Sequence, residues 1–82
     1  MPRVLVVDDE PGVRESLRMV LRDECEVDLA ASVDEAFARL REEPPDLVLL
    51  DLVMPGRSGF DLLSEIGTRP DSPAVVVLTG TT

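Results

Sequence analysis

Three short apolar runs restrict this chain more than anything else in it: VLVV at residues 4–7, LVLL at 47–50 and AVVVLT at 74–79. None shows the gaps of an amphipathic helix, and none shows the alternation of a strand with one wet face. Uninterrupted β-branched and Leu runs of this length belong to strands covered on both sides, the habit of parallel sheets. The stretches between them carry a different period. Pro11 suits the first turn of a helix, where its missing N–H is not needed. Val13, Leu17, Val20 and Leu21 then repeat as one apolar stripe. Val27, Leu29 and Ala31 alternate with acids and Ala30, as a half-exposed edge strand would.

Further on, Ser32 and Glu35 form a capping box, opening a helix with Val33, Ala36, Phe37 and Leu40 on one face. Pro44 and Pro45 stop it. Ser58 is placed to cap a third helix carrying Phe60, Leu63 and Ile66, ending near Gly67. The order is thus β-α-β-α-β-α-β. Short connections and right-handed crossovers make this an α/β domain with a parallel sheet of order 2-1-3-4 and helices on both faces. Chemistry in such sheets collects beyond the carboxyl ends of the strands, where connections diverge.

Composition narrows the function classes. Eighty-two residues make one small domain. Eight Arg against 17 acids, with no Lys or His, give a formal charge of −9. That field repels phosphate backbones, so no direct nucleic-acid binding is expected; it favours cations and partners with basic faces. The single Cys25 has no internal disulfide partner and reads as a partly buried thiol in a reducing compartment. No apolar stretch approaches the ~20 residues of a membrane span. The start lacks a signal peptide's apolar region and cleavage site. A cytoplasmic location, without membrane partners, is the expectation.

Acids close two of the apolar runs. Asp8, Asp9 and Glu10 follow the first, and Asp51 ends the third strand. If these strands are neighbours, the carboxylates crowd one corner, raising one another's proton affinity unless a cation neutralises them. Mg²⁺ fits, since it takes hard oxygen ligands and keeps several waters, while nothing here suits a soft metal. A carboxylate beside Mg²⁺ can attack phosphorus and form an aspartyl-phosphate. This reading makes Asp51 the nucleophile, places metal on Asp8 and Asp9, and lets the Thr79 hydroxyl donate to a phosphoryl oxygen. A phosphatase with an aspartyl nucleophile is disfavoured, because Val53 stands where a second acid would be.

VLVVDDEP, then DLVMPGRSG, then VVVLTG, in this order over nearly the whole chain, resemble the receiver domain of two-component response regulators. The resemblance implies a flavodoxin-like fold and a phosphoacceptor signalling domain rather than an enzyme on other substrates. It would take a phosphoryl group from a histidine kinase or phosphotransfer protein onto Asp51. It carries over Asp9 as a direct Mg²⁺ ligand, Asp8 as an outer one, the Val53 backbone carbonyl as a further ligand and Thr79 as the switch hydroxyl. Gly80 takes the small position after Thr79. Leu52 and Val53 offer no polar side chains beside Asp51, so dephosphorylation is expected to be slow or partner-dependent.

Receivers continue with a fourth helix, a fifth strand ending in Lys and a fifth helix. Residues 1–82 are therefore expected to be a receiver shortened at its carboxyl end. A fourth strand without a neighbour is an exposed edge, and one sheet face keeps only the first helix as cover. A homodimer through that edge and face is expected. So is a second functional reading, a shortened receiver serving as a phosphorylation-independent interaction module. Arg14, Arg18 and Arg22 recur along the first helix and are expected to pair with Glu10 and Glu15 on a solvated face.

Overall fold

Four parallel strands and three helices alternate without exception in the computed structural model, which describes residues 1–54, 56 and 58–78. They are β1 (Arg3–Val7), α1 (Pro11–Leu21), β2 (Glu26–Ala30), α2 (Val33–Glu42), β3 (Leu47–Asp51), α3 (Gly59–Gly67) and β4 (Ala74–Leu78). The sheet order is β2-β1-β3-β4, with β1 and β3 in the middle. The register pairs Val7 with both Ala30 and Leu50, and Asp51 with Leu78. The architecture is the expected flavodoxin-like one, and β4 is the last element among the described residues.

Each element follows from local chemistry. Val4 to Val7 are all buried, as a central strand requires. Pro11 opens α1, and no side chain caps it. The Ser32 hydroxyl accepts the Glu35 N–H at 3.1 Å to start α2, and Ser58 accepts the Phe60 N–H at 3.1 Å to start α3.

The two sides of the sheet are covered unequally. Leu5, Val7, Ala30, Val48 and Leu50 form one cluster with Val33, Ala36 and Leu40 of α2 and Leu62 and Ile66 of α3. Helix α1 packs on β1 and β2 and contributes no fully buried residue. Two expected faces need correction. Val20, assigned to the apolar stripe of α1, is 76% exposed, because the helix packs mainly on β1 and β2 and leaves that flank in water. Phe60, expected among the apolar residues that α3 carries, is 62% exposed, and Leu62 takes the core position. Beginning α3 at Gly59 turns Leu62 and Ile66, four apart, inward together.

Strand β4 has the continuous apolar sequence of an interior strand but stands at the edge. Val76 is 46% exposed there, and Val77 is exposed beside it. At the opposite edge an arginine clasp closes the amino ends of the strands. Arg3 donates to Asp28 at 2.9 Å and Glu26 at 2.7 Å and pairs with Glu43 at 3.2 Å. The hydrogen bond to Asp28 chiefly, with help from Glu43 and Glu26, raises the guanidinium's proton affinity against some loss of solvation.

Candidate metal and phosphoryl-acceptor site

Because Val7 pairs with Leu50, the residues that end β1 and β3 lie side by side. Helix α1 leads away toward β2 and α3 toward β4, so the gap between these two strand ends is where the connections part. Asp8, Asp9 and Asp51 meet in that gap. Each offers a carboxylate oxygen, and those oxygens all lie within 4.8 Å of one another. Asp8 is only 5% exposed and Asp51 only 7%, whereas Asp9 is more accessible.

Local hydrogen bonds fix the two buried acids. The Asp8 N–H donates to the Ala30 carbonyl at 3.1 Å, extending the β1–β2 ladder by one residue. Its Oδ1 accepts the Glu10 N–H at 2.9 Å, an Asx-type turn that bends the chain into α1. Asp51 repeats the device two residues on, its Oδ1 accepting the Val53 N–H at 3.0 Å. Both carboxylates therefore use one oxygen to shape their own turn.

The turn after β3 needs two glycines for separate reasons. Gly56 has φ of 84°, the left-handed region that glycine enters without strain. Gly59 is required by contact: a Cβ there would lie 2.8 Å from the Leu52 Cα and 2.9 Å from the Asp51 carbonyl oxygen. The first residue of α3 thus rests directly on the backbone that carries Asp51. Nothing in the sequence marks this close approach at Gly59.

Among the described residues no ion pair reaches any of the three acids. Their donor set is all oxygen, with two members buried and all within reach of one small ion, so it fits Mg²⁺ and not a soft metal. The Val53 side chain is exposed, and what the backbone shows of this residue is its N–H bond to Asp51. Thr79 and Gly80, expected beside the acceptor, lie outside the described residues. Arg14 departs from expectation. Its guanidinium donates to the Asp8 carbonyl at 2.7 Å, while Arg18 pairs with Glu15 at 2.9 Å as expected.

Comparison with known proteins gives a consistent set of likenesses. The family model of the response regulator receiver domain matches residues 4–82. The sensory transduction protein LytT of Bacillus subtilis is 37% identical over 96% of this chain, and the response regulator Rre1 of Synechocystis is 44% identical over 93%. The chain spans only about a third of the length of these relatives, 34% and 35%. Among solved structures, TrrA of Thermotoga maritima in complex with Mg²⁺-BeF superposes with a TM-score of 0.90 at 38% identity. That match covers all of this chain and 72% of TrrA. TrrA in complex with the histidine kinase ThkA gives a TM-score of 0.89 with the same coverage.

Proposed function

The chain belongs to the response regulator receiver domain family, and from that membership we propose that it accepts a phosphoryl group on Asp51 from a histidine kinase or phosphotransfer protein. The observation that carries this reading is the meeting of Asp8, Asp9 and Asp51 within 4.8 Å at the gap between β1 and β3. The kinase complex of TrrA, a relative of the same fold, supports the class of partner.

An Asp51 carboxylate oxygen attacks the phosphorus of a phosphohistidine. The new O–P bond forms as the N–P bond breaks, and the imidazole leaves with the electron pair. Oδ1 is held by the Val53 N–H, which fixes the plane of the carboxylate and leaves Oδ2 as the attacking oxygen. Asp9 and Asp51 would hold Mg²⁺ directly, with the Val53 carbonyl, and Asp8 largely through water. Bound there, the ion supplies positive charge against the phosphoryl oxygens. Thr79 is the proposed switch hydroxyl. Leu52 and Val53 bring no polar group to activate water, so the phosphorylated state is long-lived unless a partner removes it.

Incubation with Mg²⁺ and a small acyl phosphate, followed by intact mass, tests the reading. One phosphoryl adduct on the wild type, absent from Asp51→Asn, is expected. No adduct on the wild type would overturn phosphoacceptance and leave the interaction module. The proposed setting is cytoplasmic. Among the described residues no helix is long and apolar enough to cross a membrane, and the charge of −9 argues against direct nucleic-acid binding.

Residues 1–82 are proposed to pair with a second copy through the β4 edge. Exposed Val76 and Val77 on β4, the edge strand of the sheet among the described residues, support that pairing. Light scattering should give twice the chain mass, falling to a single mass in Val76→Lys; a wild-type monomer at high concentration would refute it.

A further inference from the structure

Arg14 is the one basic side chain among the described residues that hydrogen-bonds the acidic loop itself, and that bond is to backbone. The loop between Val7 and Pro11 has only three residues, 8–10, and two of them are proposed ligands. Asp8 is tied on two sides by bonds already described, its N–H to Ala30 and its Oδ1 to Glu10. Its carbonyl is the remaining backbone polar group, and Arg14, the fourth residue of α1, donates to it at 2.7 Å, a charge-assisted distance. Helix α1 has no side-chain cap and buries no residue fully, so packing alone holds it weakly against the strand ends. The Arg14 bond is thus a specific tie between that loosely packed helix and the acid-bearing loop.

We propose that Arg14 is a positioning residue for the acidic site, locking the 8–10 loop through the Asp8 carbonyl so that Asp8 and Asp9 present their carboxylates toward Asp51. The inference rests on the Mg²⁺ reading above. It assigns Arg14 a role that its place in a row of solvated arginines concealed. Charge and geometry pull in opposite directions here. A cation near three carboxylates weakens Mg²⁺ binding by repulsion, whereas a fixed loop strengthens it by holding the ligands in place. Positioning is the larger effect, because the guanidinium is committed to a carbonyl and not to any of the carboxylates.

Two variants separate these effects. Arg14→Lys keeps the charge and loses the planar guanidinium donor; Arg14→Met loses both and keeps the apolar stem. Mg²⁺ titrations followed by amide NMR shifts give the affinity, and amide exchange of Glu10 in metal-free protein reports the loop directly. Both variants should bind Mg²⁺ about tenfold more weakly, as loss of an outer bond to a ligand residue does. Glu10 exchange should be faster in both, while urea midpoints confirm that each remains folded. Wild-type affinity with unchanged Glu10 exchange in Arg14→Lys would overturn the proposal, and so would tighter binding in Arg14→Met. A wild type that binds no Mg²⁺ would overturn the site reading instead, and faster Glu10 exchange in the metal-free variants would still support the loop tie.

Discussion

At the scale of single residues, the site depends as much on an absent side chain as on the acids. A Cβ at position 59 would press within 3 Å of the Leu52 Cα and the Asp51 carbonyl oxygen, both backbone atoms that cannot rotate away. Gly59→Ala must therefore push α3 off the end of β3. Overpacking of this kind costs about 1–3 kcal/mol, and the expected result is a lowered urea midpoint with slower adduct formation on Asp51. Gly56→Ala also destabilises, but through its positive φ, and it should leave the rate on Asp51 less affected. The acids themselves were legible in the sequence, because a carboxylate closing an apolar strand is costly and three such residues at two strand ends imply a shared purpose. Gly59 was not, since nothing in a sequence states which backbone atoms a Cα will touch. Phe60 misled for a related reason: hydrophobicity favours it for the core, but the phase of α3 is set by where Gly59 and Ser58 start the helix. Arg14 was read as one of a row of surface arginines, and the backbone carbonyl it reaches has no sequence signature.

Between elements, the helices differ in how they are held. Helix α2 has a side-chain cap at Ser32, acids in its first turn, arginines in its last and three buried residues. Helix α1 has a proline start, no side-chain cap and no buried residue. Loss of the α2 cap in Ser32→Ala should lower stability by about 1 kcal/mol, read from denaturant unfolding. Hydrogen exchange should rank the elements. Amides of β1 and β3 exchange through global opening, whereas those of α1 exchange faster through local opening. Equal protection across α1 and α2 would contradict this ordering. The order of elements was readable because the period of hydrophobicity switches cleanly at each boundary. The coverage of each helix was not, because it depends on how many strands lie beneath it.

For the molecule as a whole, 17 acids against eight arginines leave a surplus of negative charge, and the densest part of it is built into the fold. Carboxylate oxygens within 4.8 Å repel by between about 1 and about 3 kcal/mol per pair as the effective dielectric falls from that of water to about 20. Without a cation this is a cost of folding, and with one it becomes binding energy. Asp51→Asn removes one charge yet keeps an oxygen that can accept the Val53 N–H, so the turn survives. The substitution should consequently change sign with conditions. In metal-free buffer the Asn variant should be as stable as the wild type or more so. With Mg²⁺ at about one hundred times its dissociation constant, the wild type should gain about 2.7 kcal/mol, and the variant little. Urea unfolding of both proteins with and without Mg²⁺ measures all four values. A wild type that gains nothing from Mg²⁺, or an Asn variant that gains as much, would mean that the three acids do not share an ion.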